Sequence, residues 1–123
     1  MKHLIICSLL LMSVSFALNC KPMNHPEWIK AAWVYEKEIE GEKIEINYIF
    51  TDDNKLYFVS GNDIRDVDYC FVSKSIKKYI LHNPEDKDIK FHFIKNGPNS
   101  ILMKRLDGKI EVIEIKLIRK ISQ

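Results

Sequence analysis

Ile44-Glu45-Ile46-Asn47-Tyr48-Ile49-Phe50-Thr51-Asp52-Asp53-Asn54-Lys55-Leu56-Tyr57-Phe58-Val59 decides the fold class. Side chains on a strand point alternately to opposite faces. Ile44, Ile46, Tyr48 and Phe50 therefore share one face, with Glu45, Asn47 and Thr51 opposite. Asp52-Asp53-Asn54-Lys55 is turn chemistry, because Asp and Asn side chains bond nearby backbone and tolerate left-handed geometry. Leu56 to Val59 is a second β-rich run, so residues 44–59 read as a hairpin.

The same rhythm continues towards the C-terminus. Gly61-Asn62-Asp63 is a turn, and Val67, Tyr69 and Phe71 then alternate with Asp66, Asp68 and Cys70. After Ser73, Ile76, Lys78 and Ile80 alternate with Lys77, Tyr79 and Leu81. Residues 83–88, with Pro84, form a polar turn ahead of Ile89, Phe91 and Phe93, which alternate with Lys90, His92 and Ile94. Asn96-Gly97-Pro98-Asn99 is a strong turn, and Asp107-Gly108 between Ile101–Leu106 and Ile110–Ile118 signals a type I′ hairpin.

Towards the N-terminus the pattern divides. Trp28, Ala32, Tyr35 and Ile39 make a helical stripe ending before Gly41, whereas Trp33-Val34-Tyr35 has strand chemistry. A short helix near 26–31 running into a first strand near 32–39 is the favoured reading, with one long helix as its rival. Seven to eight short strands with regular turns imply a mainly β fold. The expected architecture is a small antiparallel meander barrel over residues 27–121, because closure removes exposed edges.

Composition narrows the class further. The chain has 123 residues of which 46% are hydrophobic, which suits one folded domain and excludes a disordered chain. Lys and Arg number 19 against 17 Asp and Glu, so a net charge of +2 gives no electrostatic case for nucleic acid.

The first residues read as an address. Lys2 and His3 precede an apolar run from Leu4, and the chain turns polar at Asn19. That run is too short to span a bilayer but suits a secretory signal, so residues 1–19 are expected to be a signal peptide. Two processing routes follow. Cleavage after Ala17 fits Ser15-Phe16-Ala17. The segment Ala17-Leu18-Asn19-Cys20 resembles a bacterial lipobox, which implies cleavage before Cys20, acylation of its sulfur, and residues 20–26 as a tether. Acyl chains would anchor the domain at roughly 0.8 kcal/mol per buried methylene. Cys7 leaves with the signal, so lipidation leaves Cys70 alone. Cleavage after Ala17 instead leaves Cys20 and Cys70 free to pair in an oxidising compartment.

A second resemblance covers about residues 30–118. Trp33, Gly41, the run Tyr48-Ile49-Phe50-Thr51-Asp52-Asp53-Asn54-Lys55-Leu56 and the later Tyr69-Cys70-Phe71 resemble bacterial lipocalin-like domains. The resemblance implies a calycin-type barrel on a lipid tether, placed in the cell envelope or at the cell surface, and implies no substrate.

Candidate chemistry is sparse. His25 sits in the tether and reads as solvated, His82 stands at a strand end, and His92 faces away from Phe91 and Phe93. No metal-ligand spacing, nucleophile motif or phosphate loop occurs, so neither a cofactor nor an enzyme is expected. Asp52-Asp53-Asn54 lacks calcium-loop spacing and reads as a turn, while Asp63, Asp66 and Asp68 read as a solvated face. Lys104, Arg105, Lys109, Lys116, Arg119 and Lys120, with Lys74, Lys77 and Lys78, read as a mixed surface able to meet anionic partners. Tyr48, Phe50, Tyr69, Phe71, Phe91 and Phe93 are expected to point inward, as core or as the lining of a small apolar ligand site. The leading reading is a membrane-anchored binding lipoprotein for a protein or a small hydrophobic ligand. The alternatives are an envelope-maintenance factor and a soluble secreted inhibitor with a Cys20–Cys70 disulfide.

Overall fold

A computed structural model describes residues 20–120; the expected signal peptide lies outside them, as does residue 121. Nine antiparallel strands make one curled sheet: β1 (Ala32–Ile39), β2 (Glu42–Phe50), β3 (Leu56–Ser60), β4 (Asp63–Val67), β5 (Cys70–Lys74), β6 (Lys78–His82), β7 (Ile89–Lys95), β8 (Ser100–Asp107) and β9 (Ile110–Arg119). Their order across the sheet is β4-β3-β2-β1-β9-β8-β7-β6-β5. The mainly β meander is therefore present, with one strand more than expected. The extra strand arises because residues 63–74 do not form one strand. The ladder on β3 ends at Val67, and after Asp68 and Tyr69 the chain begins pairing with β6 at Cys70.

That crossing shapes the molecule. β4 and β5 are the two outer edges of the sheet, yet only two residues join them. The sheet must curl until its edges approach. No ladder joins β4 to β5, so the closed barrel expected from the sequence is instead a half-barrel.

The expected helix near 26–31 shrinks to one 3-10 turn, Glu27–Ile29, held by the Ile29 N–H to Pro26 carbonyl bond at 3.1 Å and the Lys30 N–H to Glu27 carbonyl bond at 3.2 Å. Its long-helix rival fails because residues 32–39 all pair with β2, from Ala32 with Ile49 to Ile39 with Glu42. Turn chemistry agrees with the ladders. Glu40 and Gly41 both take positive φ, 52° and 83°, as a type I′ hairpin requires. At the β8–β9 hairpin the loop residues are Gly108 and Lys109, and only Gly108 is left-handed, at φ 63°. That matches a type II′ turn with glycine first, not the type I′ turn expected from Asp107-Gly108.

The core fills the concave face. Trp33, Phe50, Leu56, Tyr79, Leu81, Phe93, Ile101 and Leu117 are buried there. Each contributes roughly 1.5–3 kcal/mol through removal from water. The Trp33 Nε1–H donates to the Ile29 carbonyl at 2.9 Å, so the buried indole leaves no orphan donor.

Residues 20–26, expected as a tether, pack against this core. Met23, His25 and Pro26 are buried. Cys20 is bonded to Cys70, with Cα atoms 4.9 Å apart, and the Phe71 N–H donates to the Lys21 carbonyl at 2.8 Å. The segment thus straps one end of the half-barrel between β5–β6 and the β2–β3 turn.

Candidate functional site

Two ends of the concave face have different fates, and the N-terminal strap decides which is sealed. His25, expected to be solvated, is 2% exposed. Its backbone N–H donates to Asn54 Oδ1 at 2.9 Å. Its ring reaches the Lys55 carbonyl through Nε2 and the Tyr79 hydroxyl through Nδ1, both at 2.9 Å. The carbonyl can only accept, so Nε2 carries the proton and Nδ1 accepts from the Tyr79 O–H. Tyr79 in turn accepts the Asn24 N–H at 3.0 Å. Every polar group in this plug has a partner, which is the condition for burying it. Burial holds the His25 imidazole below its ordinary value, against the opposing Lys55 carbonyl, and pushes the Tyr79 phenol well up. Phe50 and Phe71 belong to this sealed end: Phe50 meets His25 edge-on with centroids 5.2 Å apart, and Phe71 packs against Tyr79 at 6.2 Å.

The other end stays open. Tyr48, Phe58, Tyr69, Phe91, Phe93 and Met103 line a cleft of about 310 Å³, with Asn83, Arg105 and Ile113 completing it. Adjacent strands supply the walls: Tyr48 faces Phe58 across β2–β3, and Phe93 faces Met103 across β7–β8. Tyr48 and Phe58 pack tilted at 4.5 Å, while Tyr69 and Phe91 stack at 4.3 Å with 20° between their planes. The cavity is open because the inward side of β9 loses cover towards its hairpin. Leu117 is buried, Ile115 half-buried and Ile113 41% exposed.

Of the six aromatics expected to face inward, Tyr48, Phe50, Phe91 and Phe93 are buried in the core and Tyr69 and Phe71 pack partly buried against it, and they divide between two tasks. Tyr48, Tyr69, Phe91 and Phe93 line the open cavity, whereas Phe50 and Phe71 pack in the sealed end. Cys20, expected as a lipidation site, spends its sulfur on Cys70. One sulfur cannot hold both a disulfide and a thioether. His82 is buried with Nδ1 2.8 Å from the Asn83 carbonyl. His92 lies outward, and burial followed by Lys78, Lys90 and Lys104 lowers its proton affinity. Among the described residues no three His, Cys, Asp or Glu side chains gather as a metal set.

Sequence reasoning missed Phe58, Met103 and Arg105 at the cavity. Arg105 was counted with the surface cations, yet it alternates in register with Ile101 and Met103 on the inward side. The signal was present as period two, but Leu102 and Leu106 make the other face of that strand equally apolar. His25 carried no signal, since its partners lie 29 to 54 residues away.

No family model, no curated protein and no solved structure matches this chain.

Proposed function

We propose that this chain is an exported binding protein without catalytic activity, whose half-open cavity takes a small apolar ligand. The observation that carries the reading is the aromatic-lined cavity of about 310 Å³. It lies at the lower end of the size range of small-molecule sites, so the ligand is compact. The apolar leader and the Cys20–Cys70 bond support the reading of export, since disulfides persist in oxidising compartments. The same bond favours the secreted form processed after Ala17 over the lipid-anchored form.

The test is a titration with phenylnaphthylamine, a neutral apolar fluorophore. Saturable one-to-one binding is expected. Ile113→Trp at the exposed mouth fills the entrance and should weaken it by about tenfold. Absence of saturable binding of both this probe and its anionic analogue anilinonaphthalene sulfonate to the folded, oxidised chain overturns the reading.

One observation favours a second reading, a protein partner added at a sheet edge. The β1–β9 ladder contains only Trp33 with Arg119 and Val34 with Ile118. Beyond these pairs β9 exposes Ile110 at 71% and Val112 at 54%. An unpaired strand edge with apolar side chains is suited to strand addition.

A further inference from the structure

We propose that the cavity selects ligands carrying one anionic oxyacid group on an apolar body, with Arg105 receiving the anion. This rests on the cavity being a ligand site, and adds the chemical class of the ligand.

β8 presents Ile101, Met103 and Arg105 to the concave face, so an always-charged guanidinium occupies a position otherwise filled by core side chains. Its neighbours in register are Phe91 on β7 and Ile113 on β9, neither able to accept a hydrogen bond. Among the described residues the buried Arg105 Nε has no hydrogen-bond partner. The ion pairs among the described residues join Lys30 to Glu27, Arg65 to Asp63 and Lys104 to Glu111, and none includes Arg105. A buried, unsatisfied donor on a half-exposed cation still costs free energy, and an oxyanion is the acceptor that removes the cost. The planar fork also matches a carboxylate or sulfonate with two parallel bonds.

The surroundings add donors of the same sense. Tyr48 and Tyr69 line the cavity beside Arg105. Burial pushes the Tyr69 phenol up to about 12, Tyr48 adds to the rise, and the nearby Arg105 cation opposes it. Both phenols therefore stay protonated near neutral pH and are able to donate. Among the described residues no Asp or Glu lines the cavity. The lining is thus an aromatic wall for an apolar body, with one cation, two phenols and the Asn83 amide as its polar side chains. A neutral ligand of the same shape would leave the guanidinium unpaired in a less hydrated site, which makes the site selective against it.

The experiment uses two probes that share an apolar body. Phenylnaphthylamine is neutral, and anilinonaphthalene sulfonate bears an anion on the same ring system. Each is titrated into the oxidised wild-type chain, into Arg105→Gln and into Arg105→Lys, with far-ultraviolet circular dichroism to report folding. The wild type should bind the sulfonate at least about tenfold more tightly than the neutral probe, the value of a charge-assisted hydrogen bond. Arg105→Gln should abolish that preference, read as the ratio of the two affinities in the same folded variant, and Arg105→Lys should keep part of it. Equal wild-type affinities for the two probes overturn this inference but leave the cavity reading intact, and they do so without any variant. A preference that persists in folded Arg105→Gln overturns it as well. Binding of neither probe to the wild type removes the cavity reading and this inference with it.

Discussion

His25 shows how one residue can tie a terminus to a sheet. Its ring spans from the Tyr79 hydroxyl on β6 to the Lys55 carbonyl beside β3, and burial favours the neutral ring there. Burial lowers the folded-state proton affinity below the ordinary value of 6.5. The unfolded chain therefore takes up the proton first as pH falls through that value, and between the two pKa values it binds more protons than the native state. Stability contributed by the neutral ring is present above the unfolded pKa and is lost as pH drops towards the folded one. His92 shifts in the same direction and adds to the slope. Urea midpoints should thus fall as the protein is acidified from neutral pH, and His25→Gln should flatten most of that dependence. An unchanged slope in the variant would contradict the account of the plug. Asn54 makes a related point about legibility. It stands at φ 65° in a turn where glycine is the commoner choice. The reason is non-local, because its side chain accepts the His25 N–H. Turn chemistry was readable from Asp52-Asp53-Asn54, but the bond to a residue 29 positions earlier was not.

Among the elements, β2 and β7 were readable because apolar and polar residues alternate over most of each strand, whereas β3, β8 and β9 were marked by their flanking turns. The two ends of the 63–74 stretch were not. Val67, Tyr69 and Phe71 keep the alternation across a break in the ladder, and alternation carries no information about which neighbour a strand pairs with. The strap was misread for a similar reason. Lys21, Pro22 and Asn24 are polar or helix-breaking, as a linker would be, and only Met23, His25 and Pro26 are buried. Its covalent anchor closes a separation of 50 residues between Cys20 and Cys70. Constraining the unfolded chain over such a loop contributes about 4 kcal/mol in the chain-entropy model. The double variant Cys20→Ser/Cys70→Ser should therefore lose about 2–4 kcal/mol in chemical denaturation while keeping its β-sheet spectrum. A loss within error of zero would show that the strap is held by the His25 and Tyr79 network alone.

At the scale of the whole molecule, a meander whose edges do not pair is closed at one end by its own N-terminal strap and left open at the other. The sealed end buries Met23, His25, Phe50 and Tyr79. The open end keeps the aromatic cavity with Arg105. Which aromatic went to which end was not in the sequence, since both sets share the same inward phase. The account depends most on Cys20 being joined to Cys70, because that bond holds the strap, seals one end and leaves the sulfur unavailable to lipid. Intact mass of the protein from its native compartment tests it directly. The account predicts a chain beginning at Leu18, lighter by two hydrogens than its reduced form. A chain beginning at Cys20 and carrying acyl groups would contradict it.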